Sequence, residues 1–130
     1  TGDPQQTWKT DSPITSLAWH PSGNFLATAS EQDFQVEFWE FPSTDKIEQI
    51  RGSSLAIRSL AWSPDGSLLA FGGDDGFVRL WNWKLGRIVL AFSEGAQIRQ
   101  LAWDESGQRL AVVTADGLLL RDASRGYPTE

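Results

Sequence analysis

The stretch from Ile57 to Asn82, IRSLAWSPDGSLLAFGGDDGFVRLWN, decides the fold. It contains three short runs of branched and aromatic residues, separated by Ser63-Pro64-Asp65-Gly66 and by Asp74-Asp75-Gly76. Pro restricts φ at the first position of a turn, and Gly accepts the positive φ that the turn requires. Short apolar runs bounded by such turns predict β-strands that pair antiparallel with their neighbours.

The same pattern is found three times along the chain. The copies begin at Ile14, Ile57 and Ile98, which are 43 and then 41 residues apart. A fourth short run, Lys46 to Arg51 or Arg87 to Phe92, leads from one copy into the next. Each repeat therefore predicts a four-stranded antiparallel sheet, and a period of about 40 residues is typical of repeat architectures.

Each predicted strand has a heavy side and a light side, as in Leu17 and Trp19 against Ala18. Because the light side carries Ala and Ser rather than Lys and Glu, we expect both faces of each sheet to be covered. A small sheet cannot bury its apolar face alone, and radially stacked four-stranded sheets form a β-propeller. The predicted fold class is all-β, with three propeller blades in the chain.

These residues resemble the WD-repeat family. The middle copy, Ile57 to Asn82, follows the family pattern closely, and the copies at Ile14 to Glu40 and Ile98 to Asp122 follow it less tightly. The resemblance implies a β-propeller or part of one. It places three repeats and a C-terminal tail at about residues 6–42, 43–84, 85–124 and 125–130.

The family's repeat positions are present with two departures. The Trp-Asp pair that ends a repeat reads Trp39-Glu40, Trp81-Asn82 and Arg121-Asp122. The Gly-His pair that usually precedes the first inner strand is missing from all three copies, so the Asp of the family's turn lacks its His partner. The resemblance still implies structural roles at the matching positions: Trp19, Trp62, Trp103, Trp39, Trp81, Asp33, Asp75 and Asp116.

Three blades do not close a ring, because propellers have about four to eight. We expect the ring to be closed by oligomerisation, since exposed apolar sheet faces aggregate. The assembly that we expect is a homodimer with six blades, followed by a trimer with nine. The alternative is that the remainder of a longer propeller closes the ring. Gln6 to Thr10 is predicted to be an orphan outer strand that pairs with Leu118 to Arg121 of the next copy.

Composition excludes several classes of function. The chain has 130 residues and a formal net charge of −6, which disfavours nucleic acid and anionic membranes as partners. It has no Cys, so disulfides, thiolate metal sites and cysteine nucleophiles are excluded. His20 is the single His and stands in a predicted turn. We therefore predict no catalytic site, no metal and no cofactor, and we expect a non-enzymatic, cytoplasmic protein.

The remaining candidate site is the mouth of the central channel. The resemblance implies that Thr15, Arg58 and Arg99, which share one repeat position, lie at this mouth and contact a partner. Arginine favours bidentate capture of carboxylate or phosphate. The competing interpretation is that each arginine pairs with a neighbouring carboxylate such as Asp33, Asp75 or Asp116.

Three functions remain open at this point. The first is a scaffold for protein–protein interaction, which binds protein or peptide partners and self-associates through its open blade faces. The second is a carbohydrate-binding or hydrolytic propeller domain, which an exposed Trp side chain on a loop would favour. The third is a propeller fragment studied for its oligomeric assembly.

Overall fold

Eleven β-strands make up the described part of the chain in the computed structural model, which covers residues 13–32, 34–41, 43, 45–51, 53 and 55–122. No helix occurs among these residues. All eleven strands lie where the sequence predicts them, and the all-β class is confirmed. In chain order they are β1 Ile14–Trp19, β2 Phe25–Ser30, β3 Gln35–Glu40, β4 Asp45–Arg51, β5 Ile57–Trp62, β6 Leu68–Gly73, β7 Phe77–Asn82, β8 Arg87–Ser93, β9 Ile98–Trp103, β10 Arg109–Thr114 and β11 Gly117–Asp122.

The second strand of each repeat extends two residues beyond its predicted end. The apolar runs of the sequence predict ends at Thr28, Phe71 and Val112, and β2, β6 and β10 continue to Ser30, Gly73 and Thr114. Gly72 and Gly73 look like a turn in the sequence, but a Cβ on Gly73 would collide with the carbonyl oxygen of Ala56. Glycine is needed there because two backbones approach closely inside the sheet.

The strands form three antiparallel sheets. Their orders are β1-β2-β3-β4, β5-β6-β7-β8 and β11-β10-β9. The inner strand β5 contacts β1 on one side and β9 on the other, so the sheets stack radially as propeller blades do. Within the described residues β11 is the outer edge of the third sheet. The predicted orphan strand, Gln6 to Thr10, lies outside the described residues.

Every sheet has two faces of different composition, and both recur in the same register. What we call the alanine face carries the cross-strand pairs Ala18–Ala27, Ala61–Ala70 and Ala102–Ala111. What we call the tryptophan face carries the pairs Trp19–Leu26, Trp62–Leu69 and Trp103–Leu110. The light and heavy sides expected from the sequence are therefore real features of the sheets.

The core lies between the sheets. The alanine face of each sheet packs on the tryptophan face of the next, and Phe38 against Phe71 and Trp81 fills the first of these two interfaces. The buried residues of the second interface are aliphatic, with Val78 and Leu80 opposite the third sheet, and the partly buried Trp103 packs against them. Strand β6 is buried at all six positions, so both faces of the middle sheet are covered, as expected. Full burial of one large apolar side chain contributes about 1.5–3 kcal/mol.

Candidate functional site

An open depression of about 440 Å³ lies between the second and third sheets, where their inner strands begin. Arg58 is the second residue of β5, and Arg99 is the second residue of β9. Both line the depression, which we call the mouth depression, together with Asp74, Gln97 and Ile98. Side chains alternate across a strand, so equivalent positions on neighbouring blades meet at one rim.

Arg58 is held by Asp74 through two hydrogen bonds. Its Nε donates to Asp74 Oδ1 across 3.0 Å, and its Nη2 donates to Oδ2 across 2.9 Å. The hydrogen bond to Asp74 and then the negative charge of that carboxylate raise the pKa of Arg58. Arg58 thus pairs with a neighbouring carboxylate, as the competing interpretation expected. Among the described residues that carboxylate is Asp74 rather than Asp75 or Asp116, and Asp33 lies outside the described residues.

Asp75, next to Asp74 in the same turn, pairs with a different arginine. Its carboxylate pairs with Arg79 Nη1 at 2.8 Å, accepts from the backbone N–H of Phe77 at 3.0 Å, and lies 3.4 Å from Ser53 Oγ. The Asp75 side chain is 5% exposed and that of Arg79 is 15% exposed. A buried carboxylate needs a partner, and here an arginine and a hydroxyl take the place of the missing His.

Arg99 and Thr15 differ sharply although they share a repeat position. Arg99 is exposed and forms no ion pair with any of the described residues. The Thr15 hydroxyl is half-buried and lies 2.6 Å from the carbonyl oxygen of Ile57 and 3.2 Å from that of Ala29. The structure therefore brings Arg58 and Arg99 together at the depression, whereas Thr15 links the first two sheets.

The repeated tryptophans occur in three settings. Trp62 and Trp103 donate their indole N–H to the preceding sheet, and Trp81 stacks on Phe38 with ring centroids 4.9 Å apart. Trp39 donates to Thr28 Oγ1 inside its own sheet, at 3.0 Å. Trp19 lies on the first described sheet, where no preceding sheet among the described residues covers it, and is 52% exposed.

The turn positions show no common chemistry. Asp116 is exposed in the turn between β10 and β11. Asp33 lies outside the described residues, so nothing is assigned to it. At the opposite end of the blades, a second cavity of about 310 Å³ lies between turns that include Asp65 and Glu105. No cluster of metal-ligating side chains occurs in the described ranges.

His20 is fixed in its turn by its neighbours. The backbone N–H of Ser22 donates to its Nδ1 at 3.1 Å, so the ring proton resides on Nε2, which donates to the carbonyl oxygen of Gly66 at 3.1 Å. The ring packs edge-on against Trp62, with centroids 4.7 Å apart, and also contacts Trp83. Both nitrogens are therefore occupied by structural hydrogen bonds. Trp83 packs in the same aromatic cluster.

Comparison with known proteins decides the family. The model for "WD domain, G-beta repeat" matches residues 2–40 and 45–82, which together are more than half of the chain. The chain belongs to the WD40-repeat family. The third WD40 repeat lies beyond these matches, but its strands and its Trp103 hydrogen bond repeat those of the second. Among the described residues, no helix has the length and hydropathy to cross a membrane.

Relatives and solved structures agree with this assignment. The WD40 chain is 31% identical over 107 residues to the Periodic tryptophan protein 2 homolog of Caenorhabditis elegans, and the match covers 80% of this chain but 12% of that protein. The Cps50 (Swd1) β-propeller domain of Myceliophteria thermophila matches with a TM-score of 0.84 and 22% identity, over 95% of this chain and 39% of that one. The structure of U3-55K matches with a TM-score of 0.85 and 20% identity, over 95% and 40%. The two structural matches establish the propeller fold.

Proposed function

We propose that this chain is a non-catalytic part of a WD40 propeller and serves as a protein–protein interaction scaffold. The proposal combines a partner site at the mouth depression with blade faces that join further blades. The proposed assembly of these blade faces is a homodimer with six blades, followed by a trimer with nine. The alternative is that the faces join the remainder of a longer propeller. The cytoplasmic location and the repeat boundaries near residues 42, 84 and 124 stay predictions.

The observation that carries the binding role is the difference between the two arginines of the mouth depression. Asp74 neutralises Arg58, whereas Arg99 is exposed and has no ionic partner among the described residues. One uncompensated guanidinium therefore faces an open depression on a chain of net charge −6. Such a group presents a planar set of donors that matches one carboxylate.

This chemistry favours an acidic peptide as the partner. A Glu or Asp side chain entering the depression would accept charge-assisted hydrogen bonds from Arg99, and Gln97 offers an amide beside it. The net negative charge of the chain opposes the approach of an acidic peptide from a distance. Binding therefore depends on direct contact with the mouth depression rather than on long-range attraction.

A labelled peptide of alternating Glu and Gly residues tests this role. Its fluorescence anisotropy is titrated against the wild type, Arg99→Gln and Arg87→Gln. The control removes the same charge from an exposed arginine at the opposite end of the second sheet. We expect Arg99→Gln to weaken binding by roughly tenfold and Arg87→Gln to leave it unchanged. Equal affinity of the wild type and Arg99→Gln would contradict the assignment.

The carbohydrate-binding alternative receives less support. A sugar site of that kind needs an exposed indole on a loop. The exposed indole among the described tryptophans is that of Trp19, which lies at the end of strand β1 and on an open blade face. The other described tryptophans are buried or half-buried. A protein-interaction role therefore fits the described surface better.

A further inference from the structure

Two hydrogen bonds repeat at the same place in the two internal interfaces between sheets. Trp62 Nε1 donates to the carbonyl oxygen of Ala18 across 3.1 Å, and Trp103 Nε1 donates to that of Ala61 across 2.9 Å. In each case the indole belongs to the tryptophan face of one sheet and the carbonyl to the innermost strand of the preceding sheet. The bond therefore defines the register in which one blade packs on the next.

Within the described sheets, one member of each pair has no counterpart at either end of the stack. Trp19 is the indole that corresponds to Trp62 and Trp103, and Ala102 is the alanine that corresponds to Ala18 and Ala61. Ala102 is exposed on β9, and the Trp19 indole is half exposed on β1. The chain thus carries both halves of a third interface.

Large apolar side chains are exposed on the two end faces, which are the alanine face of the third sheet and the tryptophan face of the first. On the alanine face of the third sheet, Leu118 and Leu120 are 66% and 65% exposed. The residues in equivalent register on the covered sheets are at most 1% exposed: Val36, Val78, Phe38 and Leu80. On the tryptophan face of the first sheet, Leu17 is 58% exposed where its equivalents Leu60 and Leu101 are 6% and 5% exposed.

We propose that a second copy of this chain covers these faces head to tail, with Trp19 Nε1 of one copy donating to the Ala102 carbonyl oxygen of the other. The occupant is a second copy because the missing half of each open interface is present, in matching register, at the other end of the same chain. A heterologous contact of this kind closes into a ring when two copies satisfy both interfaces. The inference rests on the self-association part of the proposed function and gives it a register.

Repulsion between two chains of net charge −6 opposes this contact, and burial of apolar surface favours it. Added salt screens the repulsion and leaves the apolar term in place. Association through these faces therefore strengthens as the salt concentration rises, in contrast to association driven by opposite charges.

A complementation experiment tests the register. Trp19→Glu blocks the tryptophan face and Leu120→Glu blocks the alanine face, so each variant alone loses both interfaces of a two-chain ring. A 1:1 mixture of the two variants regains one unmodified interface, between the alanine face of Trp19→Glu and the tryptophan face of Leu120→Glu. Leu85→Glu adds the same charge to an exposed leucine in the β7–β8 turn and is the matched control.

Mass in solution distinguishes the outcomes. We expect the wild type, Leu85→Glu and the mixture to reach twice the 14.4 kDa chain mass, and each blocked variant alone to stay at 14.4 kDa. Self-association of Leu120→Glu alone, or a mixture that stays monomeric while the wild type associates, would overturn the head-to-tail register but leave self-association standing. A wild type that stays monomeric would overturn both, and the peptide titration tests the mouth depression separately.

A conservative variant tests the hydrogen bond without introducing a charge that could unfold the chain. Trp19→Phe keeps an aromatic ring and removes the indole N–H. We expect it to weaken dimerisation by roughly a hundredfold, about tenfold for each of the two indole hydrogen bonds in a two-chain ring. In the ¹H–¹⁵N spectrum, the Trp19 indole N–H, identified by its absence in Trp19→Phe, is expected to shift and to resist hydrogen exchange as concentration rises. An indole signal that does not change across the association range would overturn the proposed bond.

Discussion

The indole nitrogen of Trp62 donates a hydrogen bond to the carbonyl oxygen of Ala18 across 3.1 Å, from one blade to the blade before it. The two residues lie 44 positions apart, about one repeat, so the bond ties successive repeats together rather than strands of one sheet. It gives the interface a direction, because the indole always lies on the later blade. Packing supplies most of the interface energy, and this bond fixes its register.

Loss of the Trp62 indole N–H is expected to destabilise the fold. Trp62→Phe keeps an aromatic ring but leaves the Ala18 carbonyl without its donor, which costs about 1–3 kcal/mol in the free energy of unfolding. Trp103→Phe removes the same bond at the next interface and should cost a similar amount. Urea unfolding followed by circular dichroism measures both. Two variants with wild-type stability would show that the bond has no energetic role.

Gly66 is expected to be far less tolerant of alanine than Gly23, although both occupy the turn after an inner strand. Both have a positive φ, +78° and +81°, so alanine costs about 1–2 kcal/mol at either position. A Cβ at Gly66 would also lie 2.5 Å from His20 Nε2, whereas at Gly23 it would meet nothing within 4 Å. The comparison is made by thermal unfolding.

A second comparison assigns the cause of that difference. In a His20→Ala background the extra cost of Gly66→Ala is expected to disappear, because the ring that the new Cβ would strike is gone. Measurement of the free energy of unfolding for the four combinations gives the coupling between the two positions. Equal costs of Gly66→Ala in both backgrounds would rule out the contact with His20.

Asp65 makes stability depend on pH in the acidic range. Hydrogen bonds from the backbone and hydroxyl of Ser67, and then from the hydroxyl of Ser63, lower the pKa of Asp65 from its usual 3.8. Because the pKa of Asp65 is lower in the folded state than in the unfolded state, its carboxylate stabilises the fold at pH values above the unfolded-state pKa. This contribution is lost as the pH falls through the folded-state pKa. Asp65→Asn should therefore be less stable than the wild type at pH 7 and lose less stability on acidification.

Urea titrations between pH 7 and about pH 2 measure how the free energy of unfolding changes with pH. Glu105→Gln removes one negative charge from an exposed side chain in the corresponding turn of the third sheet and serves as the control. Identical pH dependence of Asp65→Asn and the wild type would show that the hydroxyl contacts do not favour the ionised carboxylate.

Removal of the carboxylate partner of Arg58 is expected to strengthen binding at the mouth depression. Asp74→Asn takes away the charge that occupies Arg58 and leaves two guanidinium groups for an acidic peptide. Affinity for the alternating Glu-Gly peptide should rise several-fold at low salt, and high salt should shrink the gain. If Asp74→Asn binds the peptide no better than the wild type, Arg58 does not contribute to the site.

The fold could be predicted from the sequence because the same pattern of strands and turns occurs in three repeats. Three in-register copies of the Leu-Ala-Trp strand and its turn fix the strands, and the alternation of Ala18 with Leu17 and Trp19 fixes the two faces. The sequence predicts the end of β6 two residues too early because Gly72 and Gly73 carry the composition of a turn. Only the packing of Ala56 against Gly73 explains why the strand continues.

The ion pairs of the mouth depression could not be predicted in the same way. Asp74 and Asp75 are adjacent and chemically identical, and the turn sends one to Arg58 and the other to Arg79. Likewise Thr15 and Arg99 share a repeat position, but the short threonine hydroxyl reaches a backbone carbonyl where the long arginine extends to solvent. Repeat position predicts where a residue lies, and side-chain length and turn geometry decide what it contacts.

The mass of the wild-type chain in solution, measured by light scattering over a wide range of concentration and at two salt concentrations, tests the joining of open blade faces most directly. We expect a shift from 14.4 kDa to twice that mass as concentration rises, at a lower concentration in high salt. A mass of 14.4 kDa at every concentration and in both salts would contradict self-association through these faces.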